Sequence, residues 1–328
     1  MVAAFIPMTA YLLFIWWLDR NEREPFWIML VNFAWGATGA VILGIIGSII
    51  FQIPLNVLIN TVTDGNSRDL LDLSGAIFTA PLVEEFTKGM FLVIMSMQRK
   101  FDGVVDGVVY GAAIGLGFGM SENFMYFLSY GDTPVSWLSL VIIRTLFSAV
   151  MHCMSQGTFG AFIGFAKFRP LIFKLIFYPA GFFAAVFLHF AWNLTVSFRE
   201  TTFLGMLFLV LYFFALFAVF QIALYLESRT INKELAEESS GGLIPAEHLN
   251  YLPFVSRRTK PGWCPTGVDQ KEYVKTCVAL ALSRYKFKHS GKRLKSLYQR
   301  EIENYRYRIQ MMFYNANIKY YHNTVPGQ

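Results

Sequence analysis

Glu84 and Glu85 sit side by side in an apolar run, SGAIFTAPLVEEFTKGMFLVIMSM from Ser74 to Met97, and Lys88 follows one helical turn later. The run is long enough to cross a bilayer, and central charges there cost roughly 2.5–3.5 kcal/mol each, partly offset by pairing. Lys88 is four residues from Glu84 and three from Glu85, so on a helix it reaches either. It neutralises one carboxylate and leaves the other crowded and desolvated, which suits a general base. The bland alternative is a self-neutralising pair that glues helices together. Pro81, three residues before Glu84, disrupts the helix and loosens its backbone for water or substrate.

Other apolar runs supply partners. His189 and Asn193 are four apart in PAGFFAAVFLHFAWNLTV and share a helix face. Both can donate hydrogen bonds into one small volume, as an oxyanion hole requires; a polar clasp between helices is the alternative. Asn193-Leu-Thr195 matches a glycosylation acceptor, discounted because it lies within a span. His152 has Ser148 and Gln156 one turn to either side and Arg144 two turns earlier. It reads as a site residue or as a satisfied core histidine. Cys153 points about 100° away from it on a helix, so a Cys–His nucleophile is not expected. Glu122 and Asn123 end a stripe of Gly103, Gly107, Gly111, Gly115 and Gly119, whose four-residue spacing lets helix backbones approach closely.

The elements that must hold these residues follow from composition. The chain has 328 residues, 55% of them hydrophobic and only 15% charged, which excludes an ordinary soluble domain. Seven apolar runs, roughly 2–18, 26–53, 74–97, 104–128, 137–165, 171–198 and 203–226, approach or exceed the length of a span. The expected fold is an all-α polytopic membrane bundle of about seven helices. Residues 2–18 read as the first span rather than a signal peptide, since no Lys or Arg precedes them. Basic residues alternate between connections: Arg20 and Arg23, Arg99 and Lys100, and Lys167 and Arg169 mark one side. The other side has Arg68, none, and Arg199. The positive-inside rule then places the N-terminus outside and the C-terminus in the cytoplasm. At about 1.5 Å per residue, Glu84 and His189 come to a similar depth, with His152 near mid-membrane and Glu122 toward the outer face.

Together these residues resemble the PrsW-type intramembrane proteases, within the clan of CAAX-prenyl-protease-like glutamate proteases. DRNEREP resembles the family's acidic loop, PLVEEFTKG its EExxK motif, and DGVVYGAAIGLGFGMSENFMYF its Gly-rich motif ending in Glu-Asn. RTLFSAVMHCMSQGTFG resembles the Arg-then-His motif and FLHFAWN the last His motif. Order and spacing agree over about residues 10–200. The resemblance implies that Glu84 activates water, that Glu85 and Lys88 order the site, and that His152 assists. It implies that His189 and Asn193 stabilise the oxyanion, with Glu122, Asn123 and Arg144 in support. It implies no cofactor on a glutamate mechanism. The alternative is zinc or another divalent metal on Glu84, His152 and His189, although no HExxH occurs. It further implies a membrane-protein substrate, such as an anti-sigma factor cut first in a signalling cascade of a bacterial cell membrane. The rival readings are an ion- or proton-coupled transporter and a catalytically silent binder of membrane proteins. Transporters often show internal repeats, and none is found here.

The C-terminal part is different. Residues 1–226 carry 11 Lys/Arg against 13 Asp/Glu, whereas residues 227–328 carry 17 against 9. The expected division is a transmembrane protease domain over 1–226, a linker over 227–268 and a cytoplasmic helical tail over 269–328. Asp269 with Glu272 opens an amphipathic helix marked by Val274, Cys277, Val278, Ala281, Leu282 and Tyr285. Tyr298, Ile302, Tyr305, Ile309 and Met312 mark a second. Anionic lipid or a cytoplasmic protein is the expected partner of this tail, not nucleic acid.

Overall fold

The computed structural model describes residues 1–62, 68–130 and 132–316. Residues 317–328, the end of the expected tail, lie outside the described residues. The fold is an all-α polytopic membrane bundle, with no strand among the described residues. Among the described residues, five helical stretches are long and apolar enough to cross a membrane: Phe26–Val62, Val104–Ser129, Pro134–Ala166, Leu171–Val196 and Thr202–Ser240. The other two expected runs are also helical. One is α1 (Val2–Leu18), which is shorter. The other is α5 (Ala80–Ser96), which carries the Glu84, Glu85 and Lys88 charges.

Three of the helical stretches are interrupted by a π-turn. α2 (Phe26–Trp35) passes through π1 (Gly36–Ala40) into α3 (Val41–Val62). α4 (Arg68–Ser74) passes through π2 (Gly75–Thr79) into α5. α6 (Val104–Ser129) comes next, then α7 (Pro134–Ile143), π3 (Arg144–Ser148) and α8 (Ala149–Ala166). α9 (Leu171–Val196) and α10 (Thr202–Ser240) complete the apolar helices. Local signals set several starts: Pro25 and Pro170 precede α2 and α9, and Thr133 and Ser136 form a capping box on α7.

The centre of the bundle is α6, buried from Val105 through Gly119. Its glycines are there for contact. A methyl group on Gly107, Gly111 or Gly115 would overlap the backbone carbonyl of Gly160, Gln156 or His152 on α8. The two backbones therefore touch, which fixes His152 against α6. On another face, Gly36 and Gly117 bring π1 and α2 equally close to α6. α1 buries Ala4, Met8 and Leu12, one face at four-residue spacing.

The chain divides into two compact units. One comprises Met1–Asp19 and Glu24–Phe220, and the other Arg20–Arg23 and Gln221–Gln328, so the division falls within α10. In the second unit, a 3-10 turn (Ala246–Asn250) and α11 (Val255–Arg258) lead to α12 (Gln270–His289) and α13 (Lys292–Asn315). Asp269 caps α12 by accepting from the amides of Lys271 and Glu272. Leu243, Ile244 and Leu252 join Cys277, Val278, Ala281, Leu282, Ile302 and Ile309 in one apolar core. The segment whose Gly, Pro and Ser content suggests a linker thus contributes buried side chains to this unit. Glu234, Glu237 and Glu238 pair with Arg284, Lys288 and Arg306 along its flank.

Candidate active site

Glu84, Glu85, Lys88, Glu122, Arg144, His152 and His189 meet inside the first unit. Glu85 is wholly buried and accepts from every side. Its Oε1 takes hydrogen bonds from Lys88 Nζ (2.5 Å) and His189 Nδ1 (2.9 Å). Its Oε2 takes them from Ser155 Oγ (3.1 Å) and Gln156 Nε2 (2.6 Å). Four donors fill this carboxylate.

Glu84 is placed differently. Its Oε2 is buried and accepts no hydrogen bond. Lys88 Nζ lies 3.8 Å away and His189 Nε2 3.9 Å away. Because His189 gives its Nδ1 proton to Glu85, its Nε2 presents a lone pair toward Glu84.

Lys88 also approaches His152 Nδ1 at 3.2 Å. An ammonium only donates, so His152 Nδ1 accepts and its Nε2–H faces Glu122 Oε2 at 2.6 Å. Glu122 Oε2 is 2.8 Å from the Arg144 guanidinium, which donates through Nε to Asn123 Oδ1 and stacks on Tyr126. The two imidazoles meet edge to face with centroids 4.8 Å apart, and Lys88 lies over the Phe118 ring. Three carboxylates thus face two basic side chains. Glu85 and Glu122 hold the cations closely, and Glu84 is the remainder.

Asn193 shares the His189 face of α9, as its spacing suggests, but its amide donates to the Ala76 carbonyl in π2 at 2.8 Å. Cys153 lines an apolar cavity of about 430 Å³ with Tyr11, Phe14 and Met154, apart from the carboxylates. Ser155 is the site residue that sequence reasoning misses; its only signal is its place three residues after His152. Gln156 is visible in the sequence as part of a polar stripe, without a role.

Oxygen and nitrogen donors of Glu84, His152 and His189 lie within 4.8 Å of one another. Two imidazoles and a carboxylate are a zinc donor set. Zinc holds such atoms about 2.0–2.2 Å from itself, so donors on opposite sides of an ion are at most about 4.4 Å apart. Both nitrogens of His152 are already engaged, by Lys88 and Glu122. The residue types match a metal centre, and in this arrangement their donors are held by hydrogen bonds a little further apart than an ion would draw them.

Fold and site define a polytopic membrane protein with an acid–imidazole centre buried in its bundle. A family model described as PrsW family intramembrane metalloprotease matches residues 24–220, and the chain belongs to that family. It is therefore an intramembrane protease. A curated relative, Protease PrsW of Oceanobacillus iheyensis, is 24% identical over 166 residues, or 50% of this chain and 68% of that protein. No solved structure matches the chain.

Proposed function

We propose that the protein hydrolyses a peptide bond of a membrane-associated protein with Glu84 as general base and without a metal. The observation that supports this reading is Glu84 Oε2, buried, without a hydrogen-bond partner and 3.9 Å from the free lone pair of His189. A water bridging that gap gives one hydrogen bond to each acceptor and keeps its own lone pairs for the scissile carbonyl. As the water attacks, Glu84 takes its proton and later passes it to the leaving amine. Glu85 fixes His189 in the tautomer this requires. Lys88, the cation beside Glu84, offers its remaining N–H to the oxyanion. Glu122 and Arg144 orient His152, which in turn orients Lys88.

Substrate and setting follow from the same reading. Cleavage falls in or near the outer leaflet, with the N-terminus outside and the tail, residues 269–328, in the cytoplasm of a bacterial cell. An anti-sigma-like signalling protein, cut first here, is the substrate the family resemblance suggests. The tail meets anionic lipid or a cytoplasmic protein.

The test uses purified protein and Glu84→Gln in detergent, each incubated with a panel of single-span membrane proteins. Cleavage by the wild type alone supports the reading. Equal products from both overturn it, as does absence of cleavage accompanied by ion flux in liposomes. Retention of activity in a chelator supports the metal-free step, and loss restored by zinc overturns it.

A further inference from the structure

Pro81 and Asn193 are linked through a backbone carbonyl. In π2 the amide of Ala80 bonds the carbonyl of Gly75, five residues back. The next carbonyl, that of Ala76, would look by the same step to residue 81. That residue is Pro, which has no N–H. The vacancy in the ladder is filled from another helix, by Asn193 Nδ2 at 2.8 Å. A carbonyl without a donor inside a bilayer is costly, so this bond decides whether the π-turn persists. The turn also sets direction. One residue more or less before α5 rotates that helix by about 100°, and Glu84 lies five residues after Thr79.

We infer that Asn193 is a positioning residue, which holds π2 open so that Glu84 faces His189. It acts on the reaction through Glu84, not as an oxyanion donor. The inference rests on Glu84 being the base. Its geometry ties the two helices that carry the base and His189, since Asn193 is one turn beyond His189 and bonds the turn that leads into Glu84. Side chains beside site residues also reach carbonyls of π1. Ser121, beside Glu122, donates to Ala37 at 2.7 Å, and Thr87, beside Lys88, donates to Ala40 at 3.1 Å.

A double-mutant cycle separates the two roles of Asn193. Asn193→Leu keeps the size and removes the donor, and Pro81→Ala restores an N–H at residue 81. Expected for Asn193→Leu alone is a fall in kcat of about 100-fold, the scale of an ångström-level misplacement, with KM little changed. In the Pro81→Ala background the same change has a much smaller effect, because residue 81 supplies the missing donor. An equal loss in both backgrounds overturns the inference and returns Asn193 to the oxyanion. Amide hydrogen exchange over residues 75–85, measured by mass spectrometry in detergent, needs no turnover. Asn193→Leu accelerates it and Pro81→Ala suppresses that acceleration; exchange indifferent to Asn193 overturns the inference. A wild type that never cleaves but shows this exchange pattern defeats the proteolytic reading and leaves the backbone link standing.

Discussion

Lys88 Nζ lies 2.5 Å from Glu85 Oε1, and both side chains are wholly buried. The adjacent glutamates are therefore not interchangeable. Glu85→Gln strands a buried ammonium, a loss of about 3–5 kcal/mol, and also frees His189. Its melting temperature in detergent falls sharply together with activity. Glu84→Gln removes no hydrogen bond and melts close to wild type while cleavage is abolished. Thermal unfolding and a cleavage assay on the two variants check the contrast.

His152 gives no free nitrogen to an ion. The purified protein is expected to carry no zinc above background by elemental analysis, and prolonged chelation leaves its cleavage rate unchanged. Stoichiometric zinc that is lost together with activity would contradict this.

The α6–α8 seam tolerates no side chain. Gly111→Val and Gly115→Val push α8 away at Gln156 and His152, and both variants lose activity and stability together. Gly103→Ala is the control, since an added methyl there meets nothing within 4 Å. Its melting temperature and cleavage rate stay near wild type.

In the second unit His248 is buried, with Nδ1 2.9 Å from the Tyr273 hydroxyl. Burial holds its imidazole below the usual histidine range, against a smaller opposing pull from Glu247. The unfolded chain therefore binds a proton that the folded unit refuses. Stability is full above about pH 6.5 and is lost as pH falls from there toward the folded pKa. Hydrogen exchange of α12 against pH shows the loss, and His248→Phe flattens its upper part.

Much of the site is legible because ionisable residues in apolar runs are expensive. Glu84, Glu122, His152 and His189 stand out on that ground, and the structure brings them together. Which glutamate is left over is not legible. Lys88 reaches either by spacing, and the choice is made by Ser155, Gln156 and His189 from two other helices. The π-turns are nearly silent in sequence; Pro81 is the visible clue to π2, and GATGA gives none to π1. The structure divides the chain between Phe220 and Gln221, inside α10, a few residues before the change in charge and hydropathy. The buried roles of Leu243, Ile244 and Leu252 are tertiary choices that local Gly and Pro content hides.

α3 buries only Val41 and Gly44, and Gly44 is the residue that covers Glu84: a methyl added there would sit 3.7 Å from Glu84 Cγ. The wall bearing Glu122 and His152 is clamped backbone to backbone, whereas α3 meets Glu84 only at ordinary van der Waals distance, so the two sides of the centre differ in the room they leave for a larger side chain.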